Sequence, residues 1–163
     1  MNNTNACKIH PEKNEFKLRF DGCSKSNPGL AGAGAVIYYN NGEVWSNHFF
    51  VGEKATNNHA EYAGLILGLK RAVEMNITTL YVEGDSLLVI NQMKGQYKCN
   101  SLNLIDLYNE AVQLSKNFDA IHFAHILRTE NKRADQLSNI AVENYIKTLS
   151  TDAYKLLMNG VKL

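Results

Sequence analysis

Hydrophobic and polar residues alternate over residues 16–21, which is typical of a strand with one buried face. Two hydrophobic segments, at 35–39 and 43–51, predict two further strands. Asn41-Gly42 lies between them and favours the left-handed backbone of a tight hairpin. The chain is therefore predicted to begin its fold with three antiparallel strands.

The segment between the first two strands, GCSKSNPGLAGAG (residues 22–34), is rich in Gly, Asn and Pro and is predicted to be a turn or loop. Its glycines superficially resemble a nucleotide-binding loop. The dinucleotide fingerprint, however, follows a strand and opens a helix. Here a strand-like sequence, VIYY, comes next, so that interpretation is rejected.

Hydrophobic spacing changes to a helical period after residue 56. Thr56 and the asparagines after it offer N-cap side chains for a helix over residues 58–75. The remaining pattern predicts a strand at 79–85, a short helix at 86–93 that Gly95 ends, a helix at 102–114, a strand around 121–125 and a helix at 131–147.

This element order, β-β-β-α-β-α-α-β-α, predicts an α/β fold with a mixed five-stranded sheet flanked by helices. We expect a single domain over residues 16–147. Residues 1–15 are polar and aperiodic, which indicates a flexible arm. The tail at 148–163 contains hydrophobic residues and either docks as a short helix or stays mobile.

Composition narrows the class of protein. The chain has 163 residues, a net charge of +1 and 45% hydrophobic residues, as in an ordinary globular domain. No segment approaches the roughly 18 apolar residues of a membrane span, so we expect no membrane partner. The N-terminus lacks a secretory pattern, and Cys7, Cys23 and Cys99 form no disulfide or zinc spacing, so an intracellular location is expected.

Four carboxylates fall at positions that can converge. Asp21 and Asp85 end predicted strands, while Glu61 and Asp135 lie near the starts of predicted helices. Ligand sites in open α/β sheets gather at the carboxyl ends of strands. Each residue alone would pass for a solvated surface group, but as a set they predict a site for two Mg²⁺ ions, with Mn²⁺ as an alternative.

Four sequence blocks carry a family resemblance: FDGCSKSNPGLAGAG, TNNHAEYAGL, VEGDSLLVINQ and RTENKRADQLSN. In this order they closely resemble the type 1 ribonuclease H family, in the branch that lacks a basic protrusion. The resemblance implies the ribonuclease H fold and hydrolysis of the RNA strand of RNA–DNA hybrids, leaving 5′-phosphate and 3′-hydroxyl ends. It also implies that two divalent metals are held by Asp21, Glu61, Asp85 and Asp135.

The resemblance also implies a set of polar residues that contact the hybrid. Small polar groups and backbone atoms suit the shallow minor groove, where ribose 2′-hydroxyls distinguish RNA from DNA. The same residues have structural duties to perform, as an N-cap or as the Asn-Pro-Gly turn. The implied contact residues are Gly22, Ser24, Asn27, Asn57, Asn58 and Ser86.

Two departures from the best-known enteric enzyme stand out. Its long basic protrusion is reduced here to a stretch that contributes only Lys94 and Lys98. Its flexible loop with a His is compressed to HILRTEN, with no His inside the loop. Arg128 is the first candidate to act at the scissile phosphate, since a guanidinium matches phosphate oxygens. His125 is the second.

Two other functions remain open on the sequence alone. One is a nucleic-acid-binding module of a larger reverse-transcriptase-like assembly, which the low net charge favours. The other is a different nuclease on the same fold, against which the TNNxxE and NPG blocks argue. We expect a monomer whose partner is the hybrid; whether dsRNA is also cut is left open.

Overall fold

The computed structural model describes residues 14–149 and 151–160. The arm predicted at 1–15 lies outside these residues except for its last two, and so do residues 161–163 of the tail. The elements are β1 (Phe16–Lys25), β2 (Gly29–Tyr39), β3 (Gly42–Ala55), α1 (Asn57–Glu74), β4 (Thr79–Gly84), α2 (Leu87–Met93), α3 (Ile105–Ser115), β5 (Ala120–His125), a 3₁₀ turn (Arg128–Glu130), α4 (Lys132–Thr148) and α5 (Thr151–Met158).

The strands form one mixed sheet in the order β3-β2-β1-β4-β5. The β1–β2 and β2–β3 pairs are antiparallel, and the β1–β4 and β4–β5 pairs are parallel. Helix α1 packs on β1 and β2, while α4 packs on β1, β2 and β3. The predicted α/β fold with a mixed five-stranded sheet is confirmed. The tail contributes α5, and its docking on the domain stays a prediction.

The predicted loop over residues 22–34 is largely wrong. Only residues 26–28 form the turn, because β1 continues to Lys25 and β2 starts at Gly29. The small residues serve helix packing instead of chain reversal. A Cβ atom at Gly22 would lie 2.1 Å from the backbone of Ala60 in α1, and one at Gly32 would lie 2.2 Å from the carbonyl oxygen of Ser138 in α4. Glycine here lets two helices approach the two faces of the sheet.

The β2–β3 hairpin turn lies one residue earlier than predicted. Tyr39 pairs with Gly42, and the two residues with positive φ are Asn40 at 47° and Asn41 at 67°. Asn tolerates this left-handed conformation better than most residues because its short side chain bonds locally. Gly42 therefore begins β3 and is not part of the turn.

Replacing Gly34 with Ala tests the close packing of α4. The added methyl would lie 2.6 Å from Cβ of Leu137 and 2.8 Å from the carbonyl oxygen of Ala134. Backbone atoms cannot move away cheaply, so we expect the free energy of unfolding to fall by about 1–3 kcal/mol. Urea denaturation measures this free energy of unfolding. Gly52→Ala is the control, since a Cβ there would meet nothing within 4 Å; equal losses in the two variants would contradict the packing argument.

Candidate active site

Three carboxylates meet at one edge of the sheet. Asp21 lies in β1, Asp85 directly follows β4, and Glu61 lies in the second turn of α1. Because β1 and β4 are parallel neighbours, their carboxyl ends point to the same edge. One carboxylate oxygen from each of the three residues lies within 4.8 Å of the others. This spacing is short enough for one cation to contact all three.

The cluster is electrostatically unfavourable without a cation. Burial, with the charges of Asp85 and Asp135, raises the pKa of Asp21 from 3.8 to about 7, against the hydrogen bond from Ser138 that lowers it. Burial and the charges of Asp21 and Asp85 also raise the pKa of Glu61 well above its usual value. Burial raises the pKa of Asp85 as well. The fold thus crowds acids that repel one another.

A divalent cation fits this arrangement. Glu61 Oε2 is buried and has no hydrogen-bond partner among the described residues, although unsatisfied buried oxygens are costly. The donors around it are all carboxylates, which suit hard cations such as Mg²⁺ and Mn²⁺. A bound cation would neutralise the repulsion and would give Glu61 Oε2 a partner. Asp21, Glu61 and Asp85 are the residues that would hold it.

Asp135 lies beside these three residues but outside the tight group. It occupies the first turn of α4 and borders the same cleft. Its Oδ1 accepts hydrogen bonds from Arg128 at 3.5 Å and from Asn139 Nδ2 at 3.3 Å. The fourth predicted carboxylate is thus brought to the site at its rim, where it is only partly exposed and held by two neighbours.

The carboxylates lie in an open cleft of about 520 Å³. Of the predicted substrate contacts, Gly22, Ser24 and Asn57 line it. The other three, Asn27, Asn58 and Ser86, are not among the residues that line it. The full lining is Asp21, Gly22, Cys23, Ser24, Lys25, Asn57, Glu61, Asp85, His125, Ile126, Leu127, Arg128, Asp135 and Asn139.

Polar residues near the cleft are joined by hydrogen bonds that fix the backbone around them. The Ser24 amide donates to Asn57 Oδ1 at 2.7 Å, and the Asn57 amide donates to Asn27 Oδ1 at 2.9 Å. The turn between β1 and β2 is thereby tied to the start of α1, whose N-cap is Thr56. Ser86 caps α2, accepting from the Val89 amide at 3.3 Å. The expected Asn-Pro-Gly turn is present, whereas the N-cap role expected of Asn57 belongs to Thr56, and Asn57 is the first residue of the helix.

Both candidate catalytic side chains outside the carboxylates, Arg128 and His125, border the cleft. Arg128 is 81% exposed, and its guanidinium lies near enough to Asp85 to oppose part of the rise that burial causes in the pKa of that carboxyl. His125 ends β5, with Nε2 at 3.2 Å from the carbonyl oxygen of Asp85. Arg128 therefore has a largely exposed charge, paired with Asp135, next to the acids, whereas His125 is engaged with the backbone.

Several residues of the site escaped the sequence analysis. Ser138 Oγ donates to Asp21 Oδ2 at 2.9 Å, and Asn131 Nδ2 donates to the carbonyl oxygen of Phe20 at 2.8 Å. Lys25 Nζ donates to Asn139 Oδ1 across the mouth of the cleft. Asn131 and Ser138 lie within the RTENKRADQLSN block, so their neighbourhood to Asp135 was a usable signal. Lys25 likewise lies within the FDGCSKSNPGLAGAG block, four positions after Asp21.

Known proteins with similar sequences and structures identify the family of this chain. Residues 19–141 match a family model described as reverse transcriptase-like. The N-terminal RNase H domain of Rv2228c from Mycobacterium tuberculosis superposes with a TM-score of 0.79 at 36% identity, covering 83% of this chain and 99% of that one. The chain belongs to the type 1 ribonuclease H family.

Two further ribonuclease H structures support this assignment. RNase H1 from the archaeon Halobacterium salinarum has a TM-score of 0.76 at 34% identity, with 80% of this chain and 98% of that one covered. LC11-RNase H1, solved in complex with an RNA/DNA hybrid, has a TM-score of 0.76 at 30% identity, with 81% and 99% covered. The predicted ribonuclease H fold is confirmed.

The chain spans only part of some curated relatives. It is 39% identical to the bifunctional protein Rv2228c over 137 residues, which are 83% of this chain and 38% of that protein. It is 35% identical to ribonuclease HI of Halobacterium salinarum over 77% of this chain and 63% of that protein. Family membership therefore rests on the ribonuclease H domain alone. No helix in residues 14–149 and 151–160 is long and apolar enough to cross a membrane.

Proposed function

We propose that this ribonuclease H family member is a metal-dependent endonuclease that hydrolyses the RNA strand of RNA–DNA hybrids. The observation that carries the proposal is the convergence of Asp21, Glu61 and Asp85 within 4.8 Å at the floor of an open cleft. The hybrid as substrate is supported by the likeness to LC11-RNase H1, whose structure contains an RNA/DNA hybrid. The products would be 5′-phosphate and 3′-hydroxyl ends.

All four carboxylates would take part in holding cations. Asp21, Glu61 and Asp85, with one oxygen each within 4.8 Å of the others, would hold the cations together with Asp135, which borders the same cleft. Bound Mg²⁺ or Mn²⁺ supplies activation of the attacking water and neutralisation of charge developing on the phosphate. Because the acids come from four separate elements, their positions are fixed by the sheet and by two packed helices and need no substrate to assemble.

The remaining residues at the cleft would position the substrate. Ser24 and Asn57, tied together by the 2.7 Å hydrogen bond, present small polar groups suited to the RNA minor groove. Arg128, exposed at the cleft's rim, would bind a phosphate oxygen near the cluster through its planar guanidinium. His125 would keep the backbone of Asp85 in place through its 3.2 Å contact.

A substrate panel tests the proposal. The protein is incubated with Mg²⁺ and matched hybrid, dsRNA, dsDNA and single-stranded RNA, each labelled at the 5′ end of one strand. We expect internal cuts in the RNA of the hybrid and none without added metal. Cleavage of dsDNA in preference to hybrid would instead indicate another nuclease on this fold, and binding without cleavage would indicate a binding module.

Replacing Arg128 with Ala tests the proposed phosphate contact. A hydrogen bond to a charged group contributes about 1.5–3 kcal/mol, so we expect kcat/KM for the hybrid to fall about 10- to 100-fold. Arg128→Lys should recover only part of this loss, since an ammonium lacks the fork that matches two phosphate oxygens. Steady-state kinetics with Lys147→Ala, an exposed residue at the far end of α4, provide the control. An Arg128→Ala rate within twofold of wild type would exclude the contact.

A further inference from the structure

Ser138 is a buried hydroxyl beside the carboxylate cluster, and no solvent reaches it. It lies in α4, one turn after Asp135, and faces β1. Its Oγ is 2.9 Å from Asp21 Oδ2 in a buried contact. Among the described residues outside the four carboxylates, Ser138 is the one whose side chain donates a hydrogen bond to Asp21.

Two strand glycines make this contact possible. A Cβ at Gly32 would lie 2.2 Å from the carbonyl oxygen of Ser138, and a Cβ at Gly34 would lie 2.8 Å from its amide nitrogen. Gly34 is also the residue that pairs with Asp21 across β1 and β2. The absence of side chains on β2 thus lets the backbone of α4 approach until a short serine side chain reaches the carboxylate.

The hydroxyl has one proton and two acceptors at equal distance. Ser138 Oγ is also 2.9 Å from the carbonyl oxygen of Asp135, the usual back-bond of a helical serine. That carbonyl already accepts from Asn139 Nδ2 at 2.8 Å. An ionised carboxylate is the stronger acceptor, and its hydrogen bonds are about twice as strong as neutral ones. The proton therefore goes to Asp21.

From this geometry we infer that Ser138 is a positioning residue for cation binding: its hydroxyl fixes the plane of the Asp21 carboxylate before a cation arrives. The inference rests on the proposed metal site. Hydrogen bonds to metal ligands orient them, and losing one typically weakens metal affinity about 10- to 100-fold. Because Ser138 is buried behind Asp21, it contacts neither the cation nor the hybrid.

Ser138→Ala, which keeps the Cβ and removes the hydroxyl, tests the inference. Mn²⁺ binding to the whole chain is followed by electron paramagnetic resonance of the free ion, without nucleic acid. We expect about tenfold weaker Mn²⁺ binding at the low end of the usual range. In hybrid cleavage, the Mg²⁺ concentration for half-maximal rate should rise by a similar factor. The KM for hybrid and the rate at saturating Mg²⁺ should stay within about twofold of wild type.

Ser115→Ala is the matched control. Ser115 Oγ donates to the Ala111 carbonyl in α3, at 2.8 Å, and neither residue borders the cleft. It reproduces the loss of a helical back-bond without a carboxylate partner. Urea denaturation of both variants shows whether they remain folded.

Unchanged Mn²⁺ affinity in folded Ser138→Ala would overturn the inference, because the serine would then serve the helix alone. An equal loss of affinity in Ser115→Ala would overturn it too. Failure of the proposed function looks different: wild-type protein would bind Mn²⁺ and leave hybrid intact, while the comparison of Mn²⁺ affinities would still decide the role of Ser138.

Discussion

Asp85→Asn is expected to lower the rate of hybrid cleavage with Mg²⁺ by at least about 10³-fold, because cation contacts provide several kcal/mol of transition-state stabilisation. Asn is close to Asp in size but offers a neutral ligand in place of a charged one. Asp85 belongs to the group of three oxygens within 4.8 Å, so its charge is not replaced by a neighbour. Initial rates under saturating hybrid measure the effect.

Asp106→Asn separates this effect from a general loss of acidity. Asp106 lies in the first turn of α3 and does not line the cleft. Its substitution removes the same charge and should leave the rate within about twofold of wild type. The Asp85 variant should also unfold at no lower urea concentration than wild type, since it loses a repelled charge. Retained cleavage by a folded Asp85→Asn protein would refute the assigned site.

Asp21→Asn is expected to stabilise the metal-free protein at pH 8. A pKa raised from 3.8 to about 7 means that the folded protein holds the Asp21 proton more tightly than the unfolded chain does. The cost of ionising it in the fold is therefore absent below about pH 4, grows through the interval up to pH 7 and is complete above it. Removing this carboxylate should increase the free energy of unfolding by about 2–4 kcal/mol at pH 8.

Thermal unfolding in EDTA at several pH values measures how the ionisation of Asp21 changes stability. The wild-type melting temperature should fall as the pH rises from 5 to 8, and the slope should be smaller in Asp21→Asn. Added Mg²⁺ should raise the wild-type melting temperature at pH 8 and have little effect on the variant. Equal pH slopes in the two proteins would show that Asp21 is not the strained acid.

The convergence of the acids could be predicted from the sequence because each lies in a recognisable block at the end of a strand or the start of a helix, while their catalytic roles stay a prediction. Asp21, Glu61 and Asp85 do converge, and Asp135 lies beside them. The mixed five-stranded sheet followed from the order of elements, but the strand order β3-β2-β1-β4-β5 was not predicted. Such patterns are local, and each can be read within about ten residues.

The contacts of the residues that support the acids could not be predicted in this way, although Asn131 and Ser138 lie in the same block as Asp135. Ser138 acts through a partner 117 positions away and Asn131 through one 111 positions away, and no local pattern encodes such distances. The glycine-rich segment at 22–34 predicts a loop because Gly favours turns. Its true role, admitting α1 and α4 to the sheet, depends on which helices pack there. Small residues thus allow chain reversal in a turn, but allow a helix to pack closely when they lie in a strand.

The parallel pairing of β1 with β4, and the docking of α4 on β1 and β2, have a consequence for biosynthesis. On an emerging polypeptide, Asp21 appears long before Asp85 and Asp135 leave the ribosome. Until these strands and α4 have packed together, the acids are separate and unable to share a cation. The proposed cation site is thus complete only when translation of the domain is nearly finished, so an incomplete chain lacks the proposed site.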